Sequence, residues 1–206
     1  MKFSIAIQAG GESRRMGQDK GLASFLGKPL VARLVERLAP LADEVLVTTN
    51  RLQEYAFLGV PLFPDILPGC GALGGLYTAL SAASHPLVAV IACDMPFVNA
   101  LLLAAQRDLL VACQADIVIP HTGGGLEPFH AVYRREVCLP HILAALEAGK
   151  WRADAWFDQV DLRVLSAGEI SKYDPGMLSF RNINTPEELQ AAEKLALQFA
   201  NRATGA

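Results

Sequence analysis

The sequence predicts a single α/β domain of three layers, with helices on both faces of a mostly parallel, mixed central sheet. Three observations carry this. Strand-like apolar runs alternate with helix-patterned segments until about residue 110, after which the strand signals become denser. The runs at 3–7 (Phe-Ser-Ile-Ala-Ile) and 87–92 (Leu-Val-Ala-Val-Ile-Ala) are short and almost wholly apolar, as strands covered on both faces should be. Gly10, Thr48, Asp65, Gly71 and Asp94 each lie just beyond a predicted strand, and right-handed strand–helix–strand crossovers bring those strand ends to one edge.

The elements follow in order. Residues 10–20 (Gly-Gly-Glu-Ser-Arg-Arg-Met-Gly-Gln-Asp-Lys) are too polar and glycine-rich to continue the first strand. Pro29 suits the first turn of a helix whose apolar positions Leu30, Leu34 and Leu38 recur at four-residue steps, widened by Val31 and Val35. A second strand is expected over 44–49, a short helix over 51–57 and a third strand over 60–63. Residues 69–75 (Gly-Cys-Gly-Ala-Leu-Gly-Gly) read as a flexible loop ahead of a helix through Leu76, Leu80 and Ala83. Past the 87–92 strand, Asn99 is placed to cap a helix through Leu102, Ala105 and Leu109. Strands are expected at 115–120 and 128–133, either side of the glycine triplet 123–125, then a helix over 137–148 ending at Gly149. Residues 160–165 alternate with a period near two, which predicts a strand open to water on one face; 180–183 reads as another short strand. Thr185-Pro186-Glu187-Glu188 is a helix start, with Thr185 as cap, Pro186 at the first helical position and Glu188 completing a capping box. Leu189, Ala192, Ala196 and Phe199 carry its apolar face. The expected domain covers 1–200, with a frayed tail at 201–206.

Composition excludes several functions. With 206 residues, 52% hydrophobic and 19% charged, the chain is too apolar for disorder and long enough for one substantial core. Eighteen Lys and Arg against 21 Asp and Glu give a net charge of −3, which argues against nucleic acid or an anionic membrane as partner. A local basic pocket for a phosphate-rich small molecule remains open. The apolar run 3–9 ends at Gly10-Gly11, and Arg14-Arg15 then stand where a cleavage region should be small and uncharged. No run approaches the roughly 20 apolar residues of a membrane span. Cys70, Cys93, Cys113 and Cys138 show no CxxC spacing and are expected mostly as buried thiols. The expected location is the cytoplasm.

The chemistry gathers at the predicted strand ends. Gly10-Gly11 lets the backbone turn tightly and present successive amide donors to an anion. Arg14, Arg15 and Lys20 follow within ten residues, the charges a polyphosphate needs. A plain glycine turn accounts for the glycines but not for three cations in a stretch almost without hydrophobes. The spacing is neither GxGxxG nor GxxxxGK[ST], which disfavours classical dehydrogenases and P-loop NTPases. Arg15 also fits solvated surface; Lys20, a compact point charge, suits the α and β phosphates. Asp94 either braces the turn at Met95-Pro96 or, as a lone carboxylate facing a cationic loop, binds magnesium together with phosphate oxygens and water. Asp65 either anchors a ribose or orders its loop. The 71–75 glycines let backbone approach a flat base, or simply begin a helix. The histidines are given no catalytic role: His85, His121 and His141 sit near loops or element ends, and His130 lies within a strand.

Taken together, these segments resemble the MobA-type molybdenum cofactor guanylyltransferases. Residues 8–20 (Gln-Ala-Gly-Gly-Glu-Ser-Arg-Arg-Met-Gly-Gln-Asp-Lys) look like the signature loop of that family and of the wider nucleotidyltransferase superfamily with its Rossmann-like domain. The likeness extends to Gly27-Lys28-Pro29-Leu30, to Gly71-Ala72-Leu73-Gly74-Gly75, to Cys93-Asp94-Met95-Pro96 and to 180–189 (Phe-Arg-Asn-Ile-Asn-Thr-Pro-Glu-Glu-Leu), nearly the whole chain. The resemblance implies transfer of GMP from GTP to the phosphate of molybdenum-bearing molybdopterin, with release of pyrophosphate. By motif, Gln8, Ala9, Gly10 and Gly11 would lie against the nucleotide, Lys20 and Arg14 would serve its phosphates, and Asp65 would help hold it. Asp94 would bind Mg2+, while Gly71, Asn182 and Asn184 would shape the mouth where the nucleotide meets the acceptor. The product's recipient would be a molybdoenzyme or a cofactor-insertion protein.

Three positions depart from the family pattern: Gln8 replaces an apolar residue, Ala72 stands where proline is frequent, and Thr48 where asparagine is frequent. They bear on base affinity and specificity more than on the chemistry. The competing readings are a cytidylyltransferase on the same pterin, a sugar-phosphate nucleotidyltransferase, and a nucleotide-binding adaptor without turnover. Lys20 and Asp94 weigh against the adaptor. Glu127-Pro128 begins a strand near the expected active edge and is a further candidate for the pterin side.

Overall fold

The structure, a computed structural model, describes residues 1–10, 16 and 19–204, with side chains as far as 199. The elements run β1 (Phe3–Gln8), β2 (Ser24–Phe25), β3 (Lys28–Pro29), α1 (Leu30–Leu38), β4 (Glu44–Thr48), α2 (Leu52–Tyr55), β5 (Leu62–Phe63), α3 (Gly71–Ala82) and β6 (Leu87–Ala92). There follow α4 (Ala100–Ala112), β7 (Ile117–Thr122), β8 (Gly125–Leu126), β9 (His130–Arg134), α5 (Arg135–Glu147), β10 (Leu162–Leu165), α6 (Ala167–Ile170) and α7 (Pro186–Thr204).

The main sheet is ordered β10-β7-β9-β6-β1-β4-β5, with β8 hairpinned onto β7. β5, β4, β1 and β6 are mutually parallel, and β10 is parallel to β7. β9 alone on that path runs the other way, antiparallel to both β6 and β7. That reversal brings the start of β9 beside the end of β6. It is why a residue preceding a strand, Phe129, joins the residues that follow the parallel strands.

Alternation along the central strands builds two cores. Phe3, Ile5 and Ile7 of β1, with Leu87, Ala89 and Ile91 of β6, pack on Val31, Leu34 and Leu38 of α1 and Leu102, Leu103 and Leu110 of α4. Ala6, Val88 and Val90 point the other way, onto Leu73, Leu76 and Leu80 of α3 and Ile142 and Leu146 of α5. Each such large side chain contributes roughly 1.5–3 kcal/mol by leaving water, so both sheet faces need their helices. A smaller cluster of Met16, Ala23, Phe25, Leu30, Ile183 and Ala192 seats α7 over the 20–30 segment.

Four sequence expectations are corrected. Residues 71–75 are not a loop: they form the first turns of α3, because Gly74 and Gly75 admit neighbours where side chains would stand. Pro29 is the residue before α1 rather than in its first turn, with φ −55° and ψ 139°. Residues 180–183 form no strand; a 3-10 turn at Leu178–Phe180 precedes an extended stretch whose Ile183 N donates to Asp94 O at 2.9 Å. On α7, Phe199 is 43% exposed rather than part of a buried face, whereas Ala192 is fully buried. Cys93 and Cys138 are buried and Cys70 and Cys113 half-buried, all four as free thiols.

Candidate active site

A cavity of about 240 Å³ opens at the edge where β1 and β6 end. Gln8, Ala9 and Gly10 leave β1 on one wall, and Ala92, Cys93 and Asp94 leave β6 beside them. Asp19 and Lys20 close a second side, Gly71, Ala72 and Gly75 of α3 a third, and Phe129 completes the lining. A backbone bond from Cys93 N to Gln8 O, 2.9 Å, extends the β1–β6 pairing into this edge.

Lys20 is the focus. Its Nζ donates to Asp94 Oδ2 at 2.8 Å and to Asn184 Oδ1 at 2.8 Å, drawing together residues from three distant parts of the chain. The Lys20 and Asp94 side chains are 21% and 17% exposed, so the pair is largely sheltered yet open to a ligand. Asp94 is held through its backbone by Ile183, and the following turn by α1, where Arg37 donates to Pro96 O at 2.7 Å and Val98 O at 3.3 Å. One turn earlier on α1, Arg33 donates to Phe25 O and Leu26 O, fixing the chain downstream of Lys20. Asn184 is set by the helix start that follows it. Glu188 accepts from Asn184 N at 2.6 Å and from Thr185 N at 3.2 Å, and Thr185 Oγ1 accepts from Glu188 N at 3.2 Å.

Asp19 is equally constrained. It accepts from Tyr55 Oη at 2.6 Å and from Gly21 N at 2.9 Å, with Arg51 Nε 3.6 Å away. Tyr55 is fully buried, and burial followed by the Asp19 bond pushes its phenol far above the ordinary range, so it stays a donor. A Cβ on Gly21 would stand 2.3 Å from Tyr55 Oη, which explains a glycine there. On the opposite wall, a Cβ on Gly75 would meet Gln8 Nε2 at 2.4 Å: the Gln8 amide lies over a helix made bare to receive it.

The MobA-like NTP transferase domain family model matches residues 5–162, more than half of the chain. A molybdenum cofactor guanylyltransferase from Desulfosudis oleivorans is 32% identical over 190 residues, covering 91% of this chain and 92% of that protein. Another from Shewanella amazonensis is 32% identical over 201 residues, covering 96% and 99%. The chain belongs to this family. Among solved structures, molybdopterin-guanine dinucleotide biosynthesis protein A from Archaeoglobus fulgidus shares the fold at a TM-score of 0.82 and 24% identity, over 95% of this chain and 99% of that one.

Against the family pattern, the described residues sort clearly. Gln8, Ala9, Gly10, Lys20, Gly71 and Asp94 all line the cavity. Gly11, Arg14 and Arg15 lie outside the described residues. Asp65 stands just beyond the lining, its Oδ1 3.9 Å from a Cβ built on Gly10. Thr48 is only 2% exposed and faces no ligand space; the asparagine of this loop is Asn50, two residues on, which donates to Asp65 Oδ2 at 2.8 Å and accepts from Asp65 N at 2.9 Å. Asn184 joins Lys20, whereas Asn182 is exposed outside the cavity wall, with buried Ile183 between them. Glu127 is turned to Thr122, whose Oγ1 donates to it at 2.7 Å; Phe129 reaches the cavity instead. Cys93 lines the cavity, but burial, with Asp94 adding to it, pushes its thiol well above its ordinary range, so it is no nucleophile at neutral pH.

Sequence reasoning missed Asp19, Asn50 and Phe129. Asp19 carried a signal in its place within the 8–20 motif. Asn50 lies two residues past Thr48, the position that the family pattern marks, and Phe129 carried none.

Proposed function

We propose that this chain transfers GMP from GTP to the phosphate of molybdenum-bearing molybdopterin and releases pyrophosphate. The observation that carries the reading is Lys20 Nζ at 2.8 Å from both Asp94 and Asn184 inside a cavity walled by Gln8, Ala9 and Gly10. Full-length relatives named molybdenum cofactor guanylyltransferase support it. An oxygen of the acceptor phosphate attacks the α-phosphorus of GTP. The new P–O bond forms as the bond to the β-phosphate bridging oxygen breaks, and pyrophosphate leaves with that electron pair. A phosphate is already anionic at neutral pH, so no base is needed to create the nucleophile. Catalysis is alignment and charge compensation.

In this mechanism the Ala9 and Gly10 backbone and the Gln8 amide hold the nucleotide, with Asp65, pinned by Asn50, beside them. Lys20 places a positive charge on the phosphates being separated, and Asn184 fixes the direction of its ammonium. Arg14 is assigned to the same phosphates. Asn182 is assigned to the acceptor. Among the described residues no cluster of three or more His, Cys, Asp or Glu could hold a resident metal. One carboxylate beside a triphosphate site fits Mg2+ instead, which keeps several waters and binds through one or two carboxylates plus substrate phosphates. Asp94 would hold it, and when bound it would add positive charge at the phosphate oxygens.

The test is incubation of the chain with molybdopterin and each labelled nucleoside triphosphate in turn, followed by identification of the dinucleotide. GTP-dependent product is expected. A 2-C-methyl-D-erythritol 4-phosphate cytidylyltransferase from Thermus thermophilus has the same fold at a TM-score of 0.67 and 19% identity, over 95% of this chain and 99% of that one. The CTP arm is therefore the decisive control, and product from CTP alone would overturn guanine as the base.

A further inference from the structure

Two tryptophans occur in the chain, five residues apart, in opposite environments. Trp156 is 1% exposed and donates its Nε1 to Ala153 O at 2.9 Å; Trp151 is 57% exposed. A large aromatic side chain in water forgoes much of the stabilisation that burial would give it. Its exposure does not come from a loose segment. Gly149 N donates to Leu146 O at 2.9 Å, Lys150 N to Ala145 O at 3.0 Å, and Leu73 N to Trp151 O at 3.0 Å. Trp151 is thus tied both to α5 and to the first turn of α3.

That first turn is a wall of the cavity. A Cβ on Gly71 would stand 3.2 Å from Trp151 O and 3.3 Å from Trp151 Cβ, and Gly71 has φ +60°, a conformation that glycine adopts without strain. The cavity residue is bare because the tryptophan's backbone presses on it. The rim therefore carries an exposed tryptophan whose backbone is pinned next to Gly71 and Ala72, both of which line the cavity. Both substrates of the proposed reaction carry flat nitrogen heterocycles, guanine and pterin. We infer that Trp151 is a stacking platform for the planar ring of a substrate at the rim of the cavity. The identity of those rings rests on the guanylyltransferase reading; the stacking itself is read by binding.

The probes are GTP, free 6-hydroxymethylpterin and inorganic triphosphate, titrated against the full chain. With Trp156 buried, quenching by an exposed-face ligand reports on Trp151. A ring-bearing probe is expected to quench emission, and triphosphate, which has no ring, is not. Calorimetry on Trp151→Ala should show that probe weakened about tenfold, with triphosphate unchanged and Trp151→Phe close to wild type. Loss confined to GTP assigns the platform to the base, and loss confined to the pterin assigns it to the acceptor. Wild-type affinity of Trp151→Ala for both ring-bearing probes overturns the inference, as does quenching by triphosphate equal to that by GTP. If the wild-type chain shows Trp151-dependent ring binding but forms no dinucleotide, the transfer reading fails and the platform stands. If it forms dinucleotide while Trp151→Ala binds normally, the platform alone fails.

Discussion

Replacing Asp94 by asparagine isolates charge from shape. The side chain keeps its size, and the amide oxygen of the substituted residue can still accept the Lys20 ammonium that now lies 2.8 Å from Asp94 Oδ2. What disappears is one negative charge in a site where the two side chains are 21% and 17% exposed. An exposed ion pair is worth about 0–1 kcal/mol, and breaking a fully buried one costs about 3–5 kcal/mol. With the hydrogen bond retained and partial solvent access, a loss of about 1 kcal/mol is expected, or roughly 2–4 °C in Tm for a domain of this size. The effect on transfer is of another order. Losing a preorganised charge-compensating element costs about 100-fold or more in kcat, about 2.7 kcal/mol. Dinucleotide formation at saturating GTP, magnesium and molybdopterin, run beside a melting curve, separates the two. Lys20→Met and the double variant complete a cycle, and because the residues touch, the double loss should be smaller than the product of the single losses. Wild-type turnover in Asp94→Asn, or a Tm fall well beyond about 4 °C with turnover per folded molecule unchanged, would refute the assignment.

Further outcomes follow from other contacts. Gly75→Ala forces only the flexible end of Gln8 to move from 2.4 Å, so Tm should hold while the GTP Kd rises about fivefold, ~1 kcal/mol for a displaced polar contact; an unchanged Kd would remove Gln8 from the nucleotide wall. His130 is fully buried against Phe180, its ring nitrogens make no hydrogen bond among the described residues, and burial lowers its pKa from 6.5 to about 4. The unfolded chain therefore takes up that proton below about pH 6.5 and the folded chain only near 4, so stability is full above 6.5 and falls by about 3 kcal/mol at most between 6.5 and 4. Melting curves from about pH 7 to 4 should show a flatter acid limb in His130→Leu than in wild type, and parallel limbs would rule the histidine out as the cause. Asn182→Asp should raise the molybdopterin KM by repelling its phosphate while the GTP Kd changes less than about threefold. Collapse of GTP binding there would move Asn182 to the nucleotide half of the site.

How much of this was legible depends on the distance over which each feature is determined. β1 and β6 could be read directly because burial on both faces leaves their interiors apolar, apart from Ser4, whose hydroxyl donates to Glu44 at 2.5 Å; the other polar residue, Gln8, comes only at the end of β1. The convergence of Gly10, Gly71 and Asp94 was legible because strand ends in a parallel sheet share an edge, and that of Lys20 because it is a cation of the glycine-rich loop leaving the first strand. The 71–75 glycines misled because glycine is a poor helix former. Only the packing of Gln8 and of Cys70 and Leu67 against them shows why a helix there needs them. Thr48 occupied the expected position by its resemblance to the family pattern, but the last residue of β4 is buried, and the side chain that reaches Asp65 belongs to the turn beyond. The Tyr55 anchor of Asp19 spans 36 positions and left no local trace.

The Lys20–Asn184 bond also sets an order of assembly. Lys20 and Asp94 are 74 positions apart, Lys20 and Asn184 164. Closing the longer loop costs only about 0.7 kcal/mol more in chain entropy, so thermodynamics barely distinguishes the two contacts. Synthesis distinguishes them sharply. At about 5–20 residues per second, roughly 5–18 s separate the arrival of Asp94 from that of Asn184. A ribosome-bound chain can pair its lysine with its carboxylate while the amide that aims the lysine has not yet been made, and Ile183, which ties down Asp94 through its backbone, arrives at the same late moment. The Lys20–Asn184 geometry is therefore among the last things the nascent chain acquires, and a premature stop between residues 166 and 182 leaves every strand of the sheet made while the contact that aims Lys20 is missing.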